Sequence, residues 1–343
     1  MTDRVTLREV ADAAGVHTST ASRALNEETR QVVNPQTVAR VLKAARKLGY
    51  SPNPLARGLR TNRTMTVGIV IPDIGNPLFG PIIAGAEERL GSQGYSLLIA
   101  DADRNDPASI ASIVNTLIDR RADGLILATS ARSDDLVTDL AERNVPAVLV
   151  NRTADSSPLP SIVGDDHAGI GLAVQHVVDL GHRKIGHIAG PLNLSTGMSR
   201  YQAFLTWTKS LGVEVGPECI EEADWYQVEP GFVSASALLE RCPDLTAIVA
   251  SNDLLALGAY RAIRQQGHEV GTDISITGYN DMSLLDLMQP PLTSVRVPYR
   301  QMGSEAAGML LSMLGSDGGN SKPVSMRLVP TLSVRESTQP PPN

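Results

Sequence analysis

The sequence predicts a small all-α head joined to a larger α/β body of doubly wound parallel sheets, and three observations carry that prediction. Charge is split along the chain: residues 1–63 hold eleven Lys and Arg against five Asp and Glu, whereas the other 280 hold 19 against 32. Three short runs before residue 50 repeat apolar residues at helical spacing. From Thr66 onward, short β-rich runs alternate with amphipathic helical ones, as strands covered by helices on both faces require. A length of 343 residues fits two or three domains, and 42% hydrophobic with 20% charged residues excludes wholesale disorder.

The first helix opens at Thr6-Leu-Arg-Glu9, a capping box in which Thr6 and Glu9 satisfy each other's backbone donors. Leu7, Val10, Ala11 and Ala14 then fall on one face. Gly15-Val16 breaks the pattern, and a second helix from about Thr18 to Asn26 turns Ala21, Ala24 and Leu25 inward. That leaves Thr18, Ser19 and Arg23 outward. The third helix starts at Asn34-Pro35, an N-cap followed by an N1 proline, and is expected to bury Val38, Val41, Leu42, Ala45 and Leu48 before Gly49 ends it. Two short helices joined by a tight turn, with a third closing the core, describe a helix-turn-helix. Outward hydroxyls and a guanidinium suit base edges, and the local positive charge suits phosphate.

The string from Thr6 to Asn26, with Thr37-x-x-Arg-Val and Leu48-Gly-Tyr-Ser-Pro-Asn53, resembles the head of the lactose-repressor (LacI/GalR) family of bacterial transcription factors. The resemblance implies that Thr18, Ser19 and Arg23 read the major groove, and that Thr6, Ser22 and Asn26 position the DNA backbone. His17 stands where members usually carry Ser, and His is a poorer N-cap. The stretch between Asn26 and Val33 is about two residues longer than in the lactose repressor.

Residues 1–50 are thus the expected head and 51–64 a hinge. Asn53 can cap and Pro54 suits a first turn, but barely two turns follow and Gly58 weakens them. In the resembled family, paired hinge helices enter the minor groove. This implies DNA contacts for Asn53, Ala56 and Leu59, with Leu59 as an apolar wedge between base steps.

In the body, 66–71, 96–100, 124–128 and 147–150 read as buried parallel strands, with helices near 78–93, 106–121 and 133–143. Further strands are expected near 160–164, 185–189, 218–222, 246–250 and 274–278. No Gly-rich nucleotide loop, P-loop, zinc-protease helix or nucleophile elbow occurs. His182 and His187 fall at a helix end and on a strand, where core or capping roles are expected. Asp165-Asp166-His167 reads as a helix N-terminus rather than a metal site. No cofactor, metal or catalytic activity is expected.

The resemblance implies a periplasmic-binding-protein-like body over 65–338, its two lobes closing on a small ligand. The supporting strings include Ile71–Phe79, Leu180–Pro191, Ser251–Gly258, Gly278–Asp281 and Pro290–Val295. The chain is expected to cross between lobes near 162, 292 and 325. Lobe one is then 65–162 and 292–324, and lobe two 163–291 and 325–338. Ligand candidates lie where strands end at the cleft: Phe79, Asn151, Arg200, Trp225, Asn252 and Asn280. Trp225 matches the family's stacking aromatic, and Arg200 is suited to a ligand carboxylate or phosphate. Sugar-binding members carry aspartates at the positions of Asn151 and Asn280, so the amides favour an anionic ligand.

The expected function is sequence-specific repression. A homodimer binds palindromic double-stranded operator DNA, and a carbohydrate, sugar acid or sugar phosphate effector controls it. Three consecutive prolines near the end oppose the coiled coil of a tetramer. Absence of an apolar span or leader excludes a membrane, and two cysteines exclude a disulfide framework and favour a reducing cytosol, at the nucleoid. The competing reading is a small-molecule binding protein or α/β enzyme whose basic head is incidental. The missing leader and missing catalytic motifs weigh against it.

Overall fold

A computed structural model describes residues 5–26, 29–50, 63–102, 107–315 and 324–342. The chain forms two compact units, Met1–Met65 and Thr66–Asn343.

In the first unit, α1 (Leu7–Ala14), α2 (Thr18–Leu25) and α3 (Pro35–Leu48) surround a core whose buried residues are Val and Ala, from Val10 and Ala11 to Val41 and Ala45, with Leu7, Leu25, Leu42 and Tyr50 packed against it half-buried. The capping box forms: Thr6 N–H donates to Glu9 Oε2 at 2.6 Å, and Glu9 N–H to Thr6 Oγ1 at 3.3 Å. Gly15 and Gly49 close α1 and α3 in the left-handed region, at φ 64° and 67°. His17 does cap α2, its Nδ1 accepting from Ser19 N–H at 3.3 Å. The expectation for Leu48 fails. It is exposed, whereas Ala44, one turn before it, is buried, and Tyr50 just past the helix end packs on the core. Between α2 and α3, Arg30–Val32 makes one 3-10 turn, tied back by Arg30 Nε donating to Ala24 O at 3.1 Å.

The second unit holds two six-stranded sheets. The first comprises β1 (Thr66–Ile71), β2 (Ser96–Asp101), β3 (Gly124–Leu127), β4 (Ala147–Val150), β5 (Ser161–Gly164) and β11 (Met326–Leu328), in the order β11-β5-β4-β3-β1-β2. The second comprises β6 (Ile185–Ala189), β7 (Ile220–Glu222), β8 (Ala247–Ala250), β9 (Ser275–Asn280), β10 (Thr293–Arg296) and β12 (Thr331–Ser333), in the order β12-β10-β9-β8-β6-β7. Only β12 runs antiparallel. The two orders correspond strand for strand, so β4 and β9 hold equivalent places in their sheets.

Helices α4 (Phe79–Gly91), α5 (Pro107–Asp119) and α6 (Asp135–Glu142) belong with the first sheet. Helices α7 (Asp166–Asp179), α8 (Ser195–Ser210), α9 (Val228–Arg241) and α10 (Asp253–Gln265) belong with the second. The last helix, α11 (Tyr299–Gly315), returns to the first lobe and packs on α4. Glycine permits that approach, since a Cβ on Gly85 would run into the Arg300 carbonyl, and one on Gly303 into that of Ile82.

Three expectations need correction. The crossings near 162, 292 and 325 fall later, after 164, 296 and 328, because β10 pairs with β9 and β11 pairs with β5. Strand β2 is not buried: it is the sheet's edge, and although α4 packs on it, Leu98 and Ile99 are exposed because among the described residues no strand pairs on its outer side. Cys219 and Cys242, expected as thiols, are joined by a disulfide, their Cα atoms 6.0 Å apart. Position explains the pairing: Cys219 precedes β7 and Cys242 caps the helix packed on that strand.

Candidate functional site

The head offers one polar face. On α2, Ser19 and Arg23 are exposed, while Thr18, Ser22 and Asn26 are half-buried. The cap occupies part of this face, since the Ser19 hydroxyl lies 2.8 Å from His17 Nδ1, which already accepts the Ser19 amide. Thr6 is exposed but committed, its hydroxyl donating to Glu9 Oε2 at 2.8 Å. These bonds hold the Glu9 carboxyl below its ordinary pKa. Arg40, Lys43, Arg46 and Lys47 keep α3 basic. The hinge candidates Asn53, Ala56 and Leu59 lie outside the described residues.

In the body, five of the six cleft candidates converge. Phe79 begins α4, Asn151 follows β4, Arg200 lies on α8, Asn252 caps α10 and Asn280 ends β9. All five are buried, and together they line one small cavity of about 20 Å³. Strand ends and helix N-termini from both lobes meet there, where open parallel sheets bind ligands. Asn151 and Asn280 hold φ of 65° and 115°, values that asparagine tolerates better than most residues. Asn280 Oδ1 accepts from the Tyr299 hydroxyl at 2.6 Å, and Asn252 Oδ1 accepts from Leu255 N–H at 2.8 Å.

Trp225 does not join them. Half-buried, it faces a neighbouring cavity of about 570 Å³ beside Pro72, Ala131 and Leu194. The aromatics of the polar cavity are instead Phe79 and Tyr226, the latter's hydroxyl donating to Thr196 Oγ1 at 3.2 Å. Tyr226 leans over Gly190, where any Cβ would strike its ring.

Arg200 already has a carboxylate. Its Nε donates to Asp166 Oδ1 at 2.8 Å, its Nη1 to Ser251 O at 2.8 Å, and its guanidinium lies 3.9 Å from the Tyr279 ring centroid. Burial opposes its charge, but Asp166 and the surrounding tyrosines outweigh burial and raise its pKa. The expected pairing of Arg200 with a ligand anion is therefore met first by a side chain of the protein.

Sequence reasoning passed over Arg152, Thr196 and Tyr226 on the cavity wall. For Arg152 a signal existed: a charged residue directly after the apolar strand Ala147-Val-Leu-Val150 and beside a chosen candidate. The histidines behave as read. His187 stacks on Phe204 at 4.3 Å and donates from Nδ1 to Val249 O at 2.8 Å, and burial lowers its pKa to about 4. Asp165 caps α7 by accepting from Ala168 N–H at 3.0 Å. Among the described residues, no cluster of His, Cys, Asp and Glu could hold a metal, and no helix is long and apolar enough to cross a membrane.

Known proteins share this architecture. Residues 6–53 match the family of bacterial regulatory proteins described as the lacI family, and residues 174–338 match the periplasmic binding protein-like domain. The HTH-type transcriptional repressor PurR of Actinobacillus pleuropneumoniae serotype 3 (strain JL03) is 33% identical over 336 residues, 97% of this chain and 98% of its own. A crystal structure of the Lac repressor dimer bound to operator and the anti-inducer ONPF matches with a TM-score of 0.87 at 29% identity, over 98% of this chain and 100% of that one. A complex of the transcriptional regulator CelR with cellobiose matches with a TM-score of 0.75 at 31% identity, over 97% and 100%. These relatives are regulators of transcription, not enzymes. With a helix-turn-helix head and a periplasmic-binding-protein-like body, the chain belongs to the lacI family of bacterial regulatory proteins.

Proposed function

We propose that the protein is a homodimeric repressor which binds a palindromic operator and is controlled by a small carbohydrate-like effector held between its lobes. The observation that carries this reading is the meeting of Phe79, Asn151, Arg200, Asn252 and Asn280, from both lobes, around one buried polar cavity. A ligand touching both lobes favours one of their relative positions over others, and differential affinity of that kind is what an effector needs. The carbohydrate class draws on the cellobiose complex of CelR, a relative of similar fold.

At the DNA, Ser19 and Arg23 read base edges with Thr18, and Thr6, Ser22 and Asn26 position phosphates. Asn53, Ala56 and Leu59 act in the minor groove. A symmetric operator needs two heads, and the Lac repressor, a relative of this fold, binds operator as a dimer. The exposed Leu98 and Ile99 of edge strand β2 suit burial against a second copy. Such a regulator works in the cytoplasm, on the nucleoid.

The test pairs a mobility shift on palindromic and scrambled duplexes with a thermal-shift screen of sugars, sugar acids and sugar phosphates. Selective retardation of the palindrome that a stabilising compound modulates is the expected result. Equal retardation of both duplexes, or a stabilising compound without effect on DNA binding, overturns the reading.

A further inference from the structure

Two arginines line the cavity between the lobes, and only one of them is neutralised. Arg200 has Asp166 at 2.8 Å. Arg152 is 5% exposed, its Nε has no hydrogen-bond partner, and no carboxylate or carbonyl accepts from its guanidinium among the described residues. Its side-chain neighbour is the Trp225 ring, 5.3 Å from the guanidinium carbon to the ring centroid. The ionisable groups that act on it are Tyr226, Arg200 and Tyr299, none of them anionic near neutral pH.

The other acids nearby are spent. Asp281 is held by Arg335 at 2.8 Å and Arg296 at 2.6 Å, and Asp253 accepts from Ser294 Oγ and Met282 N–H. Asn151, Asn252 and Asn280 carry no charge. The Tyr226 hydroxyl of the wall is engaged with Thr196, and Asn280 Oδ1 accepts from the Tyr299 hydroxyl. The cavity therefore holds one unbalanced positive charge, largely shielded from water. Buried cations are normally paired, and a residue left unpaired at a concave site is poised for a ligand of opposite charge.

We infer that Arg152 is the anchor for an anionic group on the effector, a carboxylate or phosphate carried by a small polar molecule. The inference rests on the reading of this cleft as the effector site, and it moves the ion pair from Arg200 to Arg152. Burial pushes the Arg152 pKa down to about 10, which still leaves the guanidinium charged at neutral pH. A planar guanidinium with free donors suits two oxygens of one oxyanion, while the flanking amides and Thr196 suit hydroxyls.

The test uses the full chain at fixed ionic strength, with inorganic phosphate, gluconate, glucose 6-phosphate and glucose as probes. Melting is followed for wild type, Arg152→Met and Arg152→Lys, and wild-type operator retardation is measured alongside. The expected result is that an anionic probe raises the wild-type Tm by several degrees, that Arg152→Met loses this rise, and that Arg152→Lys keeps part of it. Without probe, Arg152→Met should melt at or above wild type, since an unpaired buried cation has been removed. Gluconate against the two phosphates tells carboxylate from phosphate. An anion response unchanged in Arg152→Met, a response to glucose alone, or no response to any probe overturns the inference. So does a large loss of Tm in both variants, which would make Arg152 a structural residue. Failure of operator retardation would instead sink the proposed function, whatever the probes do.

Discussion

Arg200 and Asp166 form a buried ion pair, Nε to Oδ1 at 2.8 Å, with side chains 4% and 13% exposed. It bridges α8 and the first residue of α7, 34 positions apart in sequence. Breaking a buried pair from one side strands the other charge, typically at about 3–5 kcal/mol. Arg200→Ala should therefore lower the Tm by roughly 6 °C or more, at about 2–4 °C per kcal/mol for a unit of this size. The double variant with Asp166→Asn should lose less than the sum of the single ones, because the stranded carboxylate is gone. A loss under about 1 kcal/mol in Arg200→Ala would show that Asp166 has other support.

Asp253 predicts a pH dependence of unusual sign. It is fully buried at the start of α10, accepting from Ser294 Oγ at 2.5 Å and Met282 N–H at 2.9 Å. Burial outweighs those bonds, and nearby Asp281 adds to it, so its pKa rises to about 7. In the unfolded chain an aspartate titrates near ~3.9, so between these values the folded state holds the extra proton. Stability from this group then falls as pH rises, by up to ~1.4 kcal/mol per pH unit, and the penalty is complete above the folded pKa. Asp253→Asn cannot ionise. Relative to wild type it should melt higher at pH 8 than at pH 5. Parallel melting curves for the two proteins across that range would remove Asp253 as the cause.

The head was legible because its signals are local. Thr6 and Glu9 lie three residues apart, Pro35 follows its cap, and the glycines sit where helices must end. Leu48 misled because period alone places it on the inward stripe, whereas Ala44, Ala45 and Tyr50 are the residues near the helix end that meet the core. In the body, apolar runs announced strands but not their neighbours. Leu98 and Ile99 look the same in a central strand as at an edge, and the order of the sheets decides which they are. The correspondence between the sheets was hidden for the same reason, since any apolar side chain serves on a covered strand. It nevertheless explains why Asn151 and Asn280 were found together: they end equivalent strands, and each needs a residue that accepts a positive φ. Arg200 was found as a charge, but its partner lies in another helix, and no spacing rule reaches that far.

Arg23 is the exposed cation of α2, nearly two turns beyond the His17 cap. A guanidinium that pairs bidentately with a base edge contributes about 1–3 kcal/mol of discrimination. Arg23→Ala should weaken operator binding by about tenfold or more and flatten the preference at one position in each half-site. Competition with single-base operator variants checks this. A uniform loss across all variants would make Arg23 a phosphate contact instead.

Leu59 should separate recognition from simple attraction to DNA. It lies in the ten-residue stretch Ser51-Pro-Asn-Pro-Leu-Ala-Arg-Gly-Leu-Arg60, outside the described residues, for which the sequence predicts barely two helical turns weakened by Gly58. An apolar wedge contributes only where a base step can open and the bent duplex can meet more protein. Attraction to random duplex comes instead from phosphates meeting the basic head, and it weakens linearly on a log scale as salt rises. Leu59→Ala removes no charge. It should therefore cost operator affinity about tenfold while leaving random-duplex affinity near wild type, with the salt slope of each unchanged. Fluorescence anisotropy on both duplexes at four salt concentrations measures all of these quantities. Equal losses on the two duplexes would reduce Leu59 to a linker residue, and a changed slope would mean that the substitution had disturbed the head itself.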